Sequence, residues 1–142
     1  MDADSRTPVT EYVADTHALI WHEETSPRLS GVARACFEVA DKGNARILIP
    51  AISVVEMIYL AEKGRIAPTV APKTLASVTP AGGSFELVPL DERIIAAVNE
   101  IPRDRVTDLP DKLIVATAYA LGLPLITVDD VITKSGLVPV VW

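Results

Sequence analysis

An α/β fold is what this sequence predicts: a central, mostly parallel, twisted sheet of four or five strands with helices on both faces. Three observations carry that expectation. Strand-like and helix-like segments alternate along the chain, the strand-like ones are short unbroken apolar runs, and the connections between them are short. With 142 residues, 49% of them hydrophobic, the chain has material for one core and no second.

Residues 1–9 read as a flexible tail and 10–142 as the domain. Tyr12-Val13-Ala14 reads as a buried strand ending at Asp15, and Ala18 to Trp21 as the opening of a helix. Ser30 is placed to cap a second helix over Val32 to Val39, stopped by Gly43. Ile47-Leu48-Ile49 has the unbroken apolarity of a strand covered on both faces. Ser53 and Glu56 have capping-box spacing at the head of a helix that Gly64 closes. A further helix is expected between Val70 and Thr79, ended by Gly82-Gly83, then a strand over Phe85 to Val88. Asp91 caps a helix to about Glu100. Lys112 to Leu121 reads as an apolar helix ended by Gly122, Leu125 to Thr127 as a strand, and Val138 to Val141 as the closing strand. Right-handed crossovers narrow the topology to a doubly wound arrangement of the flavodoxin kind or a close relative.

Composition restricts the function less. The net charge of −6 lacks the basic signature of a duplex-gripping protein, but formal charge omits any cation the acids face. The polar, acidic start is unlike a signal peptide, and no apolar run is long enough for a membrane span, so a cytoplasmic setting is expected. Cys36 stands alone, which excludes an internal disulfide.

The acids are more informative. In a parallel sheet, ligands gather outside the carboxyl ends of the strands. Asp15 ends the first strand, Glu56 falls in the first turn of the helix after Ile47–Ile49, and Asp129 follows the strand Leu125–Thr127. Asp111 opens the helix leading into that strand, on the same rim. Four carboxylates at one point repel unless a cation compensates them, and an all-oxygen set suits Mg²⁺ or Mn²⁺ rather than zinc. Three of the acids also have a plain structural reading: Glu56 as half of a capping box, Asp111 with Asp108 as helix-start acids, Asp129 as a turn residue; Asp15, following a buried strand, needs a partner. Asp130, beside Asp129, leaves open which of the two faces the site.

These residues resemble a family. Asp15-Thr16-His17-Ala18-Leu19-Ile20-Trp21 looks like the opening motif of VapC-type PIN domains, and Ile52-Ser53-Val54-Val55-Glu56 like their second acidic motif. Asp108-Leu109-Pro110-Asp111-Lys112 is similar to the third motif, and Leu123-Pro124-Leu125-Ile126-Thr127-Val128-Asp129 to the fourth. The resemblance runs from about Val13 to Trp142. It implies a PIN-like three-layer sandwich and a metal-dependent endoribonuclease, the toxin of a VapBC-type toxin–antitoxin pair. It further implies catalytic and metal-ligating roles for Asp15, Glu56, Asp111 and Asp129 around Mg²⁺ (or Mn²⁺). Thr16, Ser53 and Thr127 would support them, and Lys112 and Arg65 are candidates for the RNA backbone. Cleavage would leave a 5′-phosphate and a 3′-hydroxyl. A cognate antitoxin and a homodimer are the implied partners. Where the family often carries Arg after the third acid and before the fourth, this chain has Lys112 and Val128.

His17 is read as part of the first helix rather than a general base, and Trp21 and Trp142 as packing residues. The alternative function is a catalytically inactive PIN fold that docks a protein partner. A phosphatase of similar fold would want an aspartate where His17 stands, a phospho-acceptor domain would be labelled by acetyl phosphate, and no G-x-G-x-x-G follows the first strand.

Overall fold

The structure, a computed structural model, describes residues 9–78 and 83–142. The tail expected over 1–9 therefore lies, Val9 apart, outside the described residues, as do Thr79 and Gly82. The chain alternates as β1 (Thr10–Ala14), α1 (Thr16–Glu23), α2 (Gly31–Asp41), β2 (Ala45–Pro50), α3 (Ala51–Glu62), α4 (Val70–Ser77) and β3 (Phe85–Val88). It continues as α5 (Glu92–Glu100), α6 (Leu109–Leu121), β4 (Leu125–Ile126), α7 (Asp130–Ser135) and β5 (Val140–Val141).

All five strands are parallel, in the order β3-β2-β1-β4-β5. The arrangement is doubly wound, but β3 lies beyond β2 instead of taking the flavodoxin position on the other side of β1. Arg46 on β2 shows why β2 is interior: its guanidinium forms ion pairs with Glu11 on β1 and Glu86 on β3. Only a middle strand reaches both neighbours.

Successive residues of each strand serve opposite cores, because side chains alternate across a pleat. Ala14, Ile47, Ile49 and Ile126 pack beneath α1 to α4 with Phe37 and Met57. Val13, Leu48 and Leu125 pack against α5, α6 and α7 with Ile94, Ile114 and Ile132. Both faces being buried explains the unbroken apolarity of the strands. The result is the expected three-layer sandwich. Among the described residues no helix is long and apolar enough to cross a membrane.

Side-chain caps fix where most helices begin. Asp15, Ser30, Asp91, Asp108 and Asp129 each accept a backbone N–H from the first turn of the helix that follows. α6 consequently starts at Leu109, earlier than the apolar run from Lys112 suggests, and Gly122, at φ +67°, ends it in the left-handed conformation. The capping box expected at Ser53 is not formed. α3 begins at Ala51, its N-cap is Pro50 with no side-chain bond, and Glu56 is the sixth helical residue rather than a first-turn one. β2 runs straight into the helix: Pro50 still pairs with Val88 of β3, leaving no loop for Ser53 to cap.

Candidate active site

The strand order reverses between β1 and β4, and parallel strands on either side of such a point leave a crevice at their carboxyl ends. A cleft of about 490 Å³ opens there, lined by Asp15, Thr16, His17, Trp21, Arg28, Glu56, Asp108, Asp111, Val128 and Asp129. The four acids singled out in the sequence all face it, although they come from four separate elements or their caps. Asp108 makes a fifth.

Asp15 sits where β1 turns into α1, only 6% exposed. Its Oδ1 accepts the N–H of Ala18 at 2.8 Å, and its Oδ2 accepts the hydroxyl of Thr127. Burial raises its pKa; the bonds from Thr127 and Ala18 and the nearby His17 oppose the shift, and Asp129 adds to it. Thr127 in turn accepts the N–H of Asp129 at 3.0 Å, so one hydroxyl orients the acids of β1 and of the β4 end together. Asp129 Oδ1 caps α7 through Ile132 at 2.8 Å. Asp130 points elsewhere, pairing with Lys134 at 2.8 Å on the surface. Of the two adjacent acids, Asp129 is the one in the cleft.

Thr16 donates to Glu56 Oε1 at 2.5 Å, tying α1 to α3 across the rim. Asp111, in the first turn of α6, has its backbone N–H held by Asp108 Oδ2 at 3.1 Å. Its carboxyl is pushed up to about 7, first by burial and then by Asp108, Asp129, Glu56 and Asp15. One group thus feels every other acid in the cleft. Burial and the neighbouring acids both disfavour a charge here, and a bound cation would offset both.

Among the described residues, no group of three His, Cys, Asp or Glu is already arranged to hold an ion. Both oxygens of Asp15 and one each of Asp129 and Glu56 are engaged by protein donors. The donor set still fits a hard divalent cation, being five carboxylates with excess charge and no cysteine.

The PIN-domain family profile matches residues 12–135. The chain belongs to the PIN-domain family. Its fold is similar to that of a chain in the DNA-bound VapBC2 complex from Rickettsia felis (TM-score 0.68, 15% identity, 92% of this chain and 97% of that one). The DNA-bound VapBC complex from Salmonella typhimurium matches comparably (TM-score 0.68, 18% identity, 92% and 96%). FitAcB from Neisseria gonorrhoeae follows (TM-score 0.62, 18% identity, 91% and 95%). No curated protein sequence matches significantly.

In this PIN domain, the residues expected to support the acids divide. Thr16 and Thr127 bond directly to Glu56 and Asp15, whereas Ser53 is fully buried and its hydroxyl has no hydrogen-bond partner among the described residues. Lys112 and Arg65 are not part of the cleft wall; Arg28 is. Neither Arg28 nor Asp108 was singled out as a site residue by motif reading. Asp108 carries a signal, its three-residue spacing from Asp111, but that spacing also describes a cap; the residue caps α6 and lines the cleft. Arg28 lies in a loop with no periodicity to betray it.

Proposed function

We propose that this PIN domain is a Mg²⁺- or Mn²⁺-dependent endoribonuclease and the toxin of a VapBC-type pair. The observation that carries the reading is the convergence of Asp15, Glu56, Asp111 and Asp129 on one cleft at the strand-order reversal. Family membership and the likeness in fold to chains of toxin–antitoxin complexes support it.

Asp15 and Asp111 would hold the cation most directly, with Glu56 and Asp129 completing the set. When bound, a divalent ion supplies an activated water and stabilises the leaving oxygen of a phosphodiester. The chain's own residues prepare the site. Thr127 holds the carboxylate of Asp15, Thr16 holds that of Glu56, and the α7 cap engages only Oδ1 of Asp129, a residue of the cleft wall. The proton on the Asp111 carboxyl must leave before that group can ligate.

An antitoxin and a second copy of the chain are the partners this reading implies. Val55, Ile58 and Tyr59 on α3 are exposed apolar residues. Val55 and Tyr59 border a groove that also contains Glu56, so a segment lying there would adjoin the acids. Incubating the purified protein with single-stranded RNA tests the activity. Cleavage is expected with Mn²⁺ and its abolition with EDTA. Intact RNA under both conditions would favour the inactive docking module instead.

A further inference from the structure

Five carboxylates line the cleft, yet the substrate proposed for it is a polyanion, so something must draw a phosphate toward them. Among the described residues, Arg28 is the one Lys or Arg side chain in the cleft wall. Val128, between Thr127 and Asp129, adds apolar surface there and no charge.

Arg28 is also held for the task. The loop carrying it is pinned at both sides: Ser26 donates its N–H to the carbonyl of Trp21 at 2.8 Å, and Leu29 is buried in the core. The guanidinium lies 5.9 Å from the centre of the Trp21 ring, a cation–π placement. Trp21 is itself braced edge-on by Trp142 at 5.8 Å. No carboxylate pairs with Arg28 among the described residues, although acids line the same cleft, and its side chain makes no hydrogen bond there. Its planar fork of N–H donors is thus unspent, oriented and exposed, the arrangement that suits a phosphate.

We infer that Arg28, positioned by Trp21, binds a backbone phosphate of single-stranded RNA beside the scissile one and so sets the substrate's register on the acids. This rests on the nuclease reading above and names the contact that grips its substrate. Trp21 is a positioning residue here, acting through Arg28.

The test follows cleavage of a fluorescein-labelled, unstructured single-stranded RNA at saturating Mn²⁺ across a salt series. Arg28→Gln is expected to raise KM about tenfold with a smaller change in kcat. The plot of log kcat/KM against log salt should become shallower by about 0.7, the slope of one lost phosphate contact on a single strand. Arg28→Lys, which keeps the charge, should restore the slope. Trp21→Leu should raise KM without altering the slope as fully as Arg28→Gln, and Trp21→Phe should recover most of the loss. An Arg28→Gln enzyme with unchanged KM and slope overturns the inference, and so does one that loses kcat alone. If the wild-type protein cleaves RNA while Arg28→Gln behaves like it, only the Arg28 assignment fails. If the wild type cleaves nothing, the nuclease reading falls first and takes this with it.

Discussion

Asp15→Asn is expected to reduce metal-dependent RNA cleavage by more than about a hundredfold while leaving the fold intact. Loss of a partner one step removed from a metal typically costs ten- to a hundredfold, so losing a ligand's charge should exceed that range. The fold should survive because the asparagine Oδ1 can still accept the Ala18 N–H that caps α1. Thr127 Oγ, which already accepts the Asp129 N–H, has a second lone pair to accept from the new amide. The substitution also removes a buried charge whose ionisation burial already opposes. Metal-free Asp15→Asn should therefore melt no lower than wild type. Cleavage assays paired with thermal denaturation separate the two consequences. Retained cleavage would remove Asp15 from the site.

Asp111→Asn should likewise abolish cleavage, and it should stabilise the metal-free protein in a pH-dependent way. The Asp111 carboxyl is raised from the usual 3.8 to about 7 in the folded chain. Between those values the folded state holds a proton that the unfolded state has released, so stability falls as pH rises across that window. The penalty is absent below 3.8 and complete above about 7. The melting-temperature advantage of Asp111→Asn should therefore be greatest above pH 7 and vanish near pH 4. Comparing the two proteins at each pH matters, because burial lowers the pKa of His22, whose contribution runs the other way: it is intact above 6.5 and is lost as pH falls below that, through the lowered folded value. Adding Mn²⁺ above pH 7 should raise the wild-type melting temperature and shift Asp111→Asn much less. A pH-independent gap between the two would contradict the crowding of acids around Asp111.

What the sequence reveals, and what it hides, follows from the range of each interaction. Strands such as Ile47–Ile49 were legible because burial on two faces leaves an unbroken apolar run. The acids were legible because they sit at fixed offsets from those strands. Ser53 misled because a capping box is a local pattern, whereas the start of α3 is decided by β2 running through Pro50 into the helix with no intervening loop. The side of the sheet taken by β3 was equally hidden, since it depends on pairing between residues nearly forty positions apart, Ile47 with Phe85. The choice between Asp129 and Asp130 needed a side-chain direction, which the Lys134 pair reveals. Arg28 reaches the cleft only because its loop folds back on Trp21. Asp15 and Asp129 each cap a helix with one oxygen and also line the cleft, so the structural role and the position at the rim belong to the same side chain.

The central claim is that these carboxylates share one hard cation. Crystals grown with Mn²⁺ and measured at the manganese absorption edge test it without reference to activity or to any partner. The account expects an anomalous peak inside the cleft, in direct contact with carboxylate oxygens of Asp15 and Asp111. A cleft without a peak at saturating Mn²⁺, or manganese bound only at other surface acids, would contradict it.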